Sequence, residues 1–184
     1  MEGPEPLLKR YNVTAARDAV VDLWGREALA DVYARMPQAE REYLMAPMPA
    51  WVPVRVPVAL SFAVYEGPVG RDKAKFYKFL HRHTDNSVGR VRKLLLGLAN
   101  PERIFAEAPK MWRSEHTVGS LEARIDGKSG MAILRDHPYV ESPHGRAAIA
   151  ETFRYLVELS RAKDVTETHA LVGTSAVEVK LRWK

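Results

Sequence analysis

The chain has 184 residues, of which 46% are hydrophobic and 28% are charged, and its formal net charge is +5. This balance is that of an ordinary globular domain, which argues against disordered, fibrous and membrane classes of protein. The length suits one domain with a core of its own. Because the chain has no cysteine, disulfides, thiolate metal sites and a cysteine nucleophile are all excluded.

The amino-terminal residues lack the features of a targeting segment. They contain Gly3, Pro4 and Pro6, with no basic start followed by an apolar run. No apolar run in the chain approaches the roughly 20 residues needed to cross a bilayer. We therefore expect a cytoplasmic protein with no membrane span, in which residues 1–10 form a flexible tail and residues 11–184 form a single domain.

The first third of the chain predicts helices joined by a proline-rich connector. Apolar spacing predicts a helix from Thr14 to Gly25 and a second one that ends at Pro37. Residues 45–58 contain four prolines, each of which removes a ladder donor, so they predict an extended connector rather than a central strand. A further helix should begin near Pro57.

The middle third predicts more helices. Residues 71–83 form a helical pattern, and a break is expected at residues 85–87 before an apolar stripe over residues 88–98. Asn100 followed by proline is a good helix start. Pro109 is expected to kink or divide that helix, because proline removes a hydrogen bond and clashes with the preceding turn.

The last third, residues 119–183, predicts a sheet. Apolar and polar residues alternate on both sides of the turn signal Asp126-Gly127, which indicates a hairpin. Ser142 followed by proline predicts the start of an amphipathic helix. A second hairpin should follow, with its turn at residues 173–175. The predicted class is α+β, with N-terminal helices packed on a small antiparallel sheet that is built from two C-terminal hairpins flanking a helix.

The order of several short motifs resembles a myxobacterial family of unknown function. That family is similar to the superfamily of heme-nitric-oxide-binding-like, vinyl-reductase-like and TRAPP-like ligand-sensing domains. The motifs are Trp51-Val52-Pro53, Ala108-Pro109-Lys110-Met111-Trp112, the hairpin from Gly119, Asp136-His137-Pro138, Arg161-Ala162-Lys163 and the closing Trp183.

The resemblance implies a regulatory, often dimeric domain that holds an apolar ligand between helices and sheet. Relatives that sense aromatic effectors bind zinc through a cysteine cluster in the terminal hairpin, and the heme-binding branch uses a Tyr-x-Ser-x-Arg motif. This chain has neither feature. We therefore expect no cofactor and no metal.

Six aromatic residues are candidates for lining a ligand cavity, because such cavities are mainly apolar with a few polar groups. They are Trp51, Tyr65, Phe76, Phe79, Trp112 and Phe153. The alternative is a filled core, since aromatic stripes at helical spacing usually pack against one another.

Catalytic and metal-binding patterns are weak. No serine lies in a Gly-x-Ser-x-Gly elbow, and residues 67–70 lack the Gly-Lys-Ser/Thr ending of a phosphate loop. His81 and His83 would point in opposite directions on a helix. The remaining arrangement for an ion combines His116, His137 or His169 with Glu115 or Glu167. The sequence therefore favours a protein that is not an enzyme.

Residues 71–93 carry a local excess of positive charge. The residues proposed to bind an anion or a partner are Arg71, Lys73, Lys75, Lys78, Arg82, Arg90 and Lys93. Such a segment could meet an acidic protein partner or the phosphates of a nucleic acid or nucleotide, and the alternative is a solvated helix face. We expect a homodimeric regulatory or adaptor domain that binds a small apolar ligand or a partner protein, with nucleic-acid or nucleotide-phosphate binding as the alternative.

Overall fold

The structure, a computed structural model, describes residues 4–89, 99–160 and 162–184. Contacts divide the chain into two compact units, Met1–Ser87 and Val88–Lys184. We call them the N-terminal unit and the C-terminal unit. The predicted apolar stripe of residues 88–98 lies almost wholly outside the described residues, as do Arg90 and Lys93 of the basic segment.

The described residues form an α+β structure, as predicted. The helices are α1 Arg10–Arg35, α2 Gln38–Met45, α3 Arg55–Glu66, α4 Lys73–Val88, α5 Pro101–Glu115, α6 Pro138–Glu141 and α7 Pro143–Leu159. The strands are β1 Leu7–Lys9, β2 Trp51–Pro53, β3 Ser120–Asp126, β4 Ser129–Arg135, β5 Thr166–Val172 and β6 Ala176–Arg182. Within these residues no helix is both long enough and apolar enough to cross a membrane.

The N-terminal unit contains a small sheet that the sequence did not predict. Leu7–Lys9 pairs antiparallel with Trp51–Pro53, with Leu8 opposite Val52. The expectation of a flexible tail up to residue 10 is therefore wrong for these residues, because β1 has a partner strand about 40 residues away. The prolines around β2 are tolerated because both strands of a two-stranded sheet are edge strands.

The sequence predicts two helix breaks in the N-terminal unit, and the structure contains one of them. The break predicted at Gly25 is confirmed, since this residue has φ 86° inside the span of α1, a backbone conformation that favours glycine. The break predicted at residues 85–87 is wrong, because α4 continues to Val88. Asn86 Nδ2 donates to Asp22 Oδ2 of α1 at 3.2 Å, so a tertiary contact holds a residue that local propensity would place in a turn.

The C-terminal unit is built on a four-stranded antiparallel sheet of order β3-β4-β6-β5. Both predicted hairpins are confirmed, and their inner strands β4 and β6 pair with each other, with Ala132 opposite Val179 and Leu134 opposite Val177. Successive side chains along a strand point to opposite faces of the sheet, so these four, which are two residues apart on their strands, lie together on the buried face. Helix α7 contacts β5 and β6, and α5 contacts β3.

The start signals for the two long helices of this unit are confirmed. Asn100 caps α5 by accepting the Arg103 amide at 3.0 Å, and Ser142 caps α7 by accepting the Gly145 amide at 3.4 Å. Pro109 does not divide α5, which is continuous to Glu115. The buried face of α5 is held by packing, which offsets the hydrogen bond that the proline removes.

Close packing fixes α5 on the sheet. A Cβ atom built on Gly130 of β4 would lie 2.2 Å from the Phe105 ring of α5, so only glycine leaves room for that ring. The Phe105 ring also stacks on Trp183, with centroids 6.2 Å apart, and lies 5.9 Å from Phe153 of α7. Helices and sheet therefore meet around one aromatic core.

Candidate functional site

Three of the six predicted ligand-lining residues lie together in the N-terminal unit. Tyr65 of α3 meets Phe76 of α4 edge to face at 5.2 Å, and Phe76 stacks on Phe79 at 6.0 Å. Trp24 of α1 stacks on Phe79 at 6.3 Å. Phe76 and Phe79 are 2% and 0% exposed. These four rings are called the N-terminal aromatic cluster.

His83 places one imidazole against this cluster. Its ring stacks on Phe79 with centroids 6.1 Å apart, and its Nε2 lies 3.0 Å from the Asn12 carbonyl oxygen. That geometry makes Nε2–H the donor in the neutral ring. Burial lowers the pKa of His83 to about 4, and the hydrogen bond to Asn12 opposes this shift. The N-terminal aromatic cluster therefore borders a neutral polar group.

The other three predicted aromatic residues lie elsewhere. Trp51 is half-buried in the small sheet, where the Lys9 ammonium lies 3.9 Å from its ring centroid. Trp112 and Phe153 belong to the hydrophobic core of the C-terminal unit. The six residues are thus divided between two units, and their role in ligand binding stays a prediction.

Sequence reasoning missed a second group of rings, in the C-terminal unit. Trp112 and His116 are four residues apart on α5, which puts them on one helix face, and their rings stack with centroids 3.7 Å apart and an interplanar angle of 7°. His137 lies perpendicular to both, with centroids 4.9 Å from Trp112 and 5.2 Å from His116. Tyr139 lies 4.6 Å from His137. We call these four residues the imidazole cluster.

The backbone around the imidazole cluster holds its rings in place. The indole Nε1–H of Trp112 donates to the Val118 carbonyl oxygen at 3.2 Å. His137 is the N-cap of α6, and its Nδ1 accepts the Tyr139 amide at 3.2 Å. A Cβ atom on Gly119 would lie 2.9 Å from the His137 Cβ, so this glycine allows the imidazole to lie close to the chain.

Two imidazole nitrogens in this cluster are buried and have no hydrogen-bond partner among the residues that the structure describes. They are His116 Nδ1 and His137 Nε2. The Trp112 carbonyl oxygen accepts the His116 amide at 2.9 Å. It opposes the larger lowering of the His116 pKa by burial, but it forms no hydrogen bond of normal geometry with Nδ1. Most buried polar atoms in proteins have a partner. The pair is therefore a candidate contact for a bound molecule.

Both imidazoles of the cluster are neutral at physiological pH. Burial lowers the pKa of His116 to about 4, against the opposing charge of Glu115. Burial, together with the charge of His116 when protonated, lowers the pKa of His137 to about 3. Burial also raises the pKa of the Tyr139 hydroxyl. The cluster can therefore offer hydrogen bonds but no charge.

The structure brings together only part of the ion-binding arrangement suggested by the sequence. His116 and His137 meet, whereas His169 lies on β5 and its Nδ1 is 3.2 Å from Glu167 Oε2. Among the residues that the structure describes, no group of three or more histidine or acidic side chains is placed to hold a metal ion.

The basic segment contains arginines that pair with carboxylates and exposed lysines that pair with none that the structure describes. Arg71 pairs with Glu66 at 2.6 Å, and Arg82 lies 3.0 Å from Asp22, so both guanidinium groups have carboxylate partners. The three predicted lysines are exposed on α4 and form no salt bridge with any described residue. They are Lys73, Lys75 and Lys78.

Known structures with the same fold are H-NOX proteins. An Fe(II) unliganded H-NOX protein from K. algicida is 11% identical, with a TM-score of 0.67 over 96% of this chain and 97% of that chain. A mutant H-NOX protein from S. oneidensis in the Fe(II) ligation state is 9% identical, with a TM-score of 0.66 over 96% of each chain. An oxygen-binding H-NOX domain related to soluble guanylate cyclases is 9% identical, with a TM-score of 0.63 over 94% of this chain and 93% of that chain.

These matches confirm the heme-nitric-oxide-binding-like fold that the motif order implied. No protein-family profile and no curated protein matches the chain. At 9–11% identity the likeness shows the fold alone.

The residues of this chain do not fit a heme site of the H-NOX type. The Tyr-x-Ser-x-Arg string is absent, and so is cysteine as an axial ligand. The rings of His116 and His137 lie against neighbouring rings with centroids 3.7–5.2 Å apart, and the Nε2 of His83 is bonded to a carbonyl oxygen. An axial imidazole needs a nitrogen directed at a broad planar slot. The imidazoles of His83, His116 and His137 therefore do not supply the axial ligand of a heme.

Proposed function

We propose that this chain, with its H-NOX fold, is a non-enzymatic regulatory domain that binds a small apolar ligand. The observation that carries the proposal is the match, over 94% of this chain, to an oxygen-binding H-NOX domain in its oxygen complex. The absence of a catalytic motif from the sequence supports a binding role rather than an enzymatic one. The cytoplasmic location and the vinyl-reductase-like branch of the resemblance stay predictions.

The proposed ligand-lining residues remain Trp51, Tyr65, Phe76, Phe79, Trp112 and Phe153. Of these, Tyr65, Phe76 and Phe79 are the first to test, because they contact one another and border the neutral imidazole of His83. A buried wall of rings with one polar group matches the usual lining of a small-molecule site.

A variant pair tests this site. Phe76→Leu alters a ring that is 2% exposed, whereas Phe62→Leu makes the same change at a ring that is 54% exposed. Native and denaturing mass spectrometry of the purified protein should show a small molecule that denaturation releases. Phe76→Leu should reduce its occupancy, and Phe62→Leu should leave it unchanged. Equal occupancy in both variants would remove the N-terminal aromatic cluster from the site.

We also propose that the basic segment binds an anionic partner, either an acidic protein or the phosphates of a nucleic acid or nucleotide. The supporting observation is that Lys73, Lys75 and Lys78 are exposed and form no salt bridge with a described carboxylate. Arg71 and Arg82 belong to the same proposed segment, and Arg90 and Lys93, which the sequence assigns to it as well, lie outside the described residues. An acidic protein is the preferred partner, because the rings of Phe76 and Phe79 beside these lysines are buried and cannot stack on bases.

Salt dependence tests this second proposal. Binding of an acidic polypeptide, duplex DNA, single-stranded RNA and ATP would be measured at low and at physiological salt. Replacing Lys73, Lys75 and Lys78 with glutamine should abolish binding and flatten its dependence on salt. The matched control replaces Lys110, Lys128 and Lys163, three exposed lysines of the C-terminal unit. Equal losses in both triple variants would contradict a specific surface.

The proposed homodimer has its own test. Sedimentation velocity over a hundredfold range of protein concentration should show a concentration-dependent dimer. A single species of about 20.8 kDa at every concentration would contradict it.

A further inference from the structure

The imidazole cluster contains two buried nitrogens whose hydrogen-bonding capacity is unused. His137 is 3% exposed, and its Nε2 has no partner in the described part of the chain. His116 Nδ1 is likewise without one, and the two rings are perpendicular with centroids 5.2 Å apart. Leaving a buried donor without an acceptor costs its full desolvation penalty. A molecule that supplies the missing partners would recover that penalty.

The tautomer of His137 follows from its role as a helix cap. Its Nδ1 accepts the Tyr139 backbone N–H, so in the neutral imidazole Nδ1 carries a lone pair and the proton is on Nε2. The free position is therefore an N–H donor, and what it lacks is an acceptor.

The same tautomer disfavours a metal ion. A metal bound to His137 Nε2 would move the proton to Nδ1, where it would face the Tyr139 N–H and break the cap. The described residues also provide no third histidine or acidic ligand at this place. An anion is disfavoured as well, because Glu115 acts electrostatically on His116 and both imidazoles are neutral.

The rings around the two nitrogens favour a flat, apolar molecule. Trp112 and His116 form a stacked pair, and Tyr139 lies across His137 with an interplanar angle of 64°. Aromatic walls with one or two polar groups that fix orientation are typical of small-molecule sites.

We propose that the imidazole cluster is a binding site for a small, uncharged, largely apolar molecule whose oxygen atom accepts a hydrogen bond from His137 Nε2–H. His116 Nδ1 forms the second polar contact, with the same oxygen atom. A ketone or phenol has this chemistry, and an alkylbenzene of the same shape lacks it. The inference rests on the proposed function, because it takes the chain to be a ligand-binding domain, and it adds a second site, in the C-terminal unit, with the class of molecule that this site would take.

The experiment compares two probes of matched shape. Acetophenone carries an oxygen acceptor and ethylbenzene does not. Imidazole nitrogen resonances of ¹⁵N-histidine-labelled full-length protein would be followed while each probe is added. Acetophenone should shift the His137 Nε2 and His116 Nδ1 resonances, and ethylbenzene should leave them in place. Equal effects of the two probes, or no effect of acetophenone, would overturn the inference.

Two variants separate hydrogen bonding from folding. His137→Asn keeps a cap acceptor for the Tyr139 amide, because asparagine is a favoured N-cap residue, but removes the Nε2–H donor. His116→Phe keeps the ring stacked on Trp112. Each variant should weaken acetophenone binding about tenfold, as expected for loss of one buried hydrogen bond. Unchanged affinity in a folded His137→Asn variant would also overturn the inference.

These experiments distinguish failure of the imidazole-cluster inference from failure of the proposed function. If both probes bind with equal affinity and the imidazole resonances do not move, the chain still binds apolar ligands, and only the assignment to the imidazole cluster is lost. If the two nitrogens are bonded to an ordered water that neither probe displaces, the cluster is structural and the inference fails. If neither probe binds and the native protein carries no small molecule, the proposed function fails with it.

Discussion

Acid should destabilise this protein, and His137 should account for a measurable share of the loss. The pKa of His137 is about 3 in the folded chain and about 6.5 when the chain is unfolded. Between these values the unfolded state binds a proton that the folded state does not. Stability is therefore complete above about pH 6.5 and falls as the pH decreases towards the folded pKa.

The magnitude follows from the same two values. At pH 5 an unfolded imidazole is almost fully protonated and the folded one is neutral, which lowers the free energy of unfolding by about 2 kcal/mol relative to pH 8. His116, with a pKa of about 4, adds a similar amount. A domain is typically stable by only about 5–15 kcal/mol, so the combined loss is a large fraction of the total.

The assay is urea unfolding at pH 8 and pH 5, monitored by tryptophan fluorescence and circular dichroism. His137→Asn keeps the cap of α6 and removes the imidazole, so it should reduce the difference in unfolding free energy between the two pH values by about 2 kcal/mol. Gly127→Ala is the control, because it strains a residue with φ 52° in open space and contains no titratable group. It should lower stability equally at both pH values.

An unchanged pH dependence in His137→Asn would contradict a buried neutral imidazole. If His137→Asn leaves the pH 8 to pH 5 difference as large as in the unaltered chain, then His137 is either hydrated or already partnered, and the buried neutral imidazole does not exist in solution.

Three further predictions concern packing, a buried ion pair and a helix cap. Gly130→Ala should lower the free energy of unfolding by about 1–3 kcal/mol, because its Cβ would overlap the Phe105 ring; a melting temperature equal to that of the unaltered chain would contradict the packing. Glu151→Gln should cost about 2 kcal/mol in urea unfolding, since the fully buried carboxylate binds Arg154 through two 2.8 Å contacts; a neutral outcome would mean that the pair is solvated. Asp72→Ala should cost about 1 kcal/mol in thermal unfolding, because its carboxylate accepts two amides of the first turn of α4 at 2.8 and 3.1 Å, and Asp72→Asn should restore most of the loss.

Local patterns predicted those parts of the fold that depend on neighbours in sequence. The alternation in β6 and the turn at residues 173–175 specify a hairpin without reference to the rest of the chain. Asn100 and Ser142 likewise act within their own first helical turn. These elements were therefore accessible from the sequence.

The parts that were missed depend on distant residues. Strand β1 has three residues, and its partner β2 lies about 40 residues further on, so no local pattern indicates it. Residues 85–87 have turn propensity, and the contact of Asn86 with Asp22 overrides it.

The candidate site was only partly predictable for the same reason. The sequence offers His116 and His137 as alternative ligands of an ion, but they are 21 residues apart, and their meeting depends on the β3–β4 hairpin that joins α5 to α6. A histidine directly before a proline at a helix start was the one local signal, because it indicates a cap. That signal predicts the Nδ1 contact and says nothing about the free Nε2.

Ligand binding by this regulatory domain is tested by the mass of the natively purified full-length protein, measured under native and then denaturing conditions. A ligand-binding regulatory domain should carry a small organic molecule that appears as extra mass in the native spectrum and is released on denaturation. Aromatic or acyl compounds that bind the protein should raise its melting temperature. Identical native and denatured masses, together with a melting temperature that neither aromatic nor acyl compounds change, would contradict the claim.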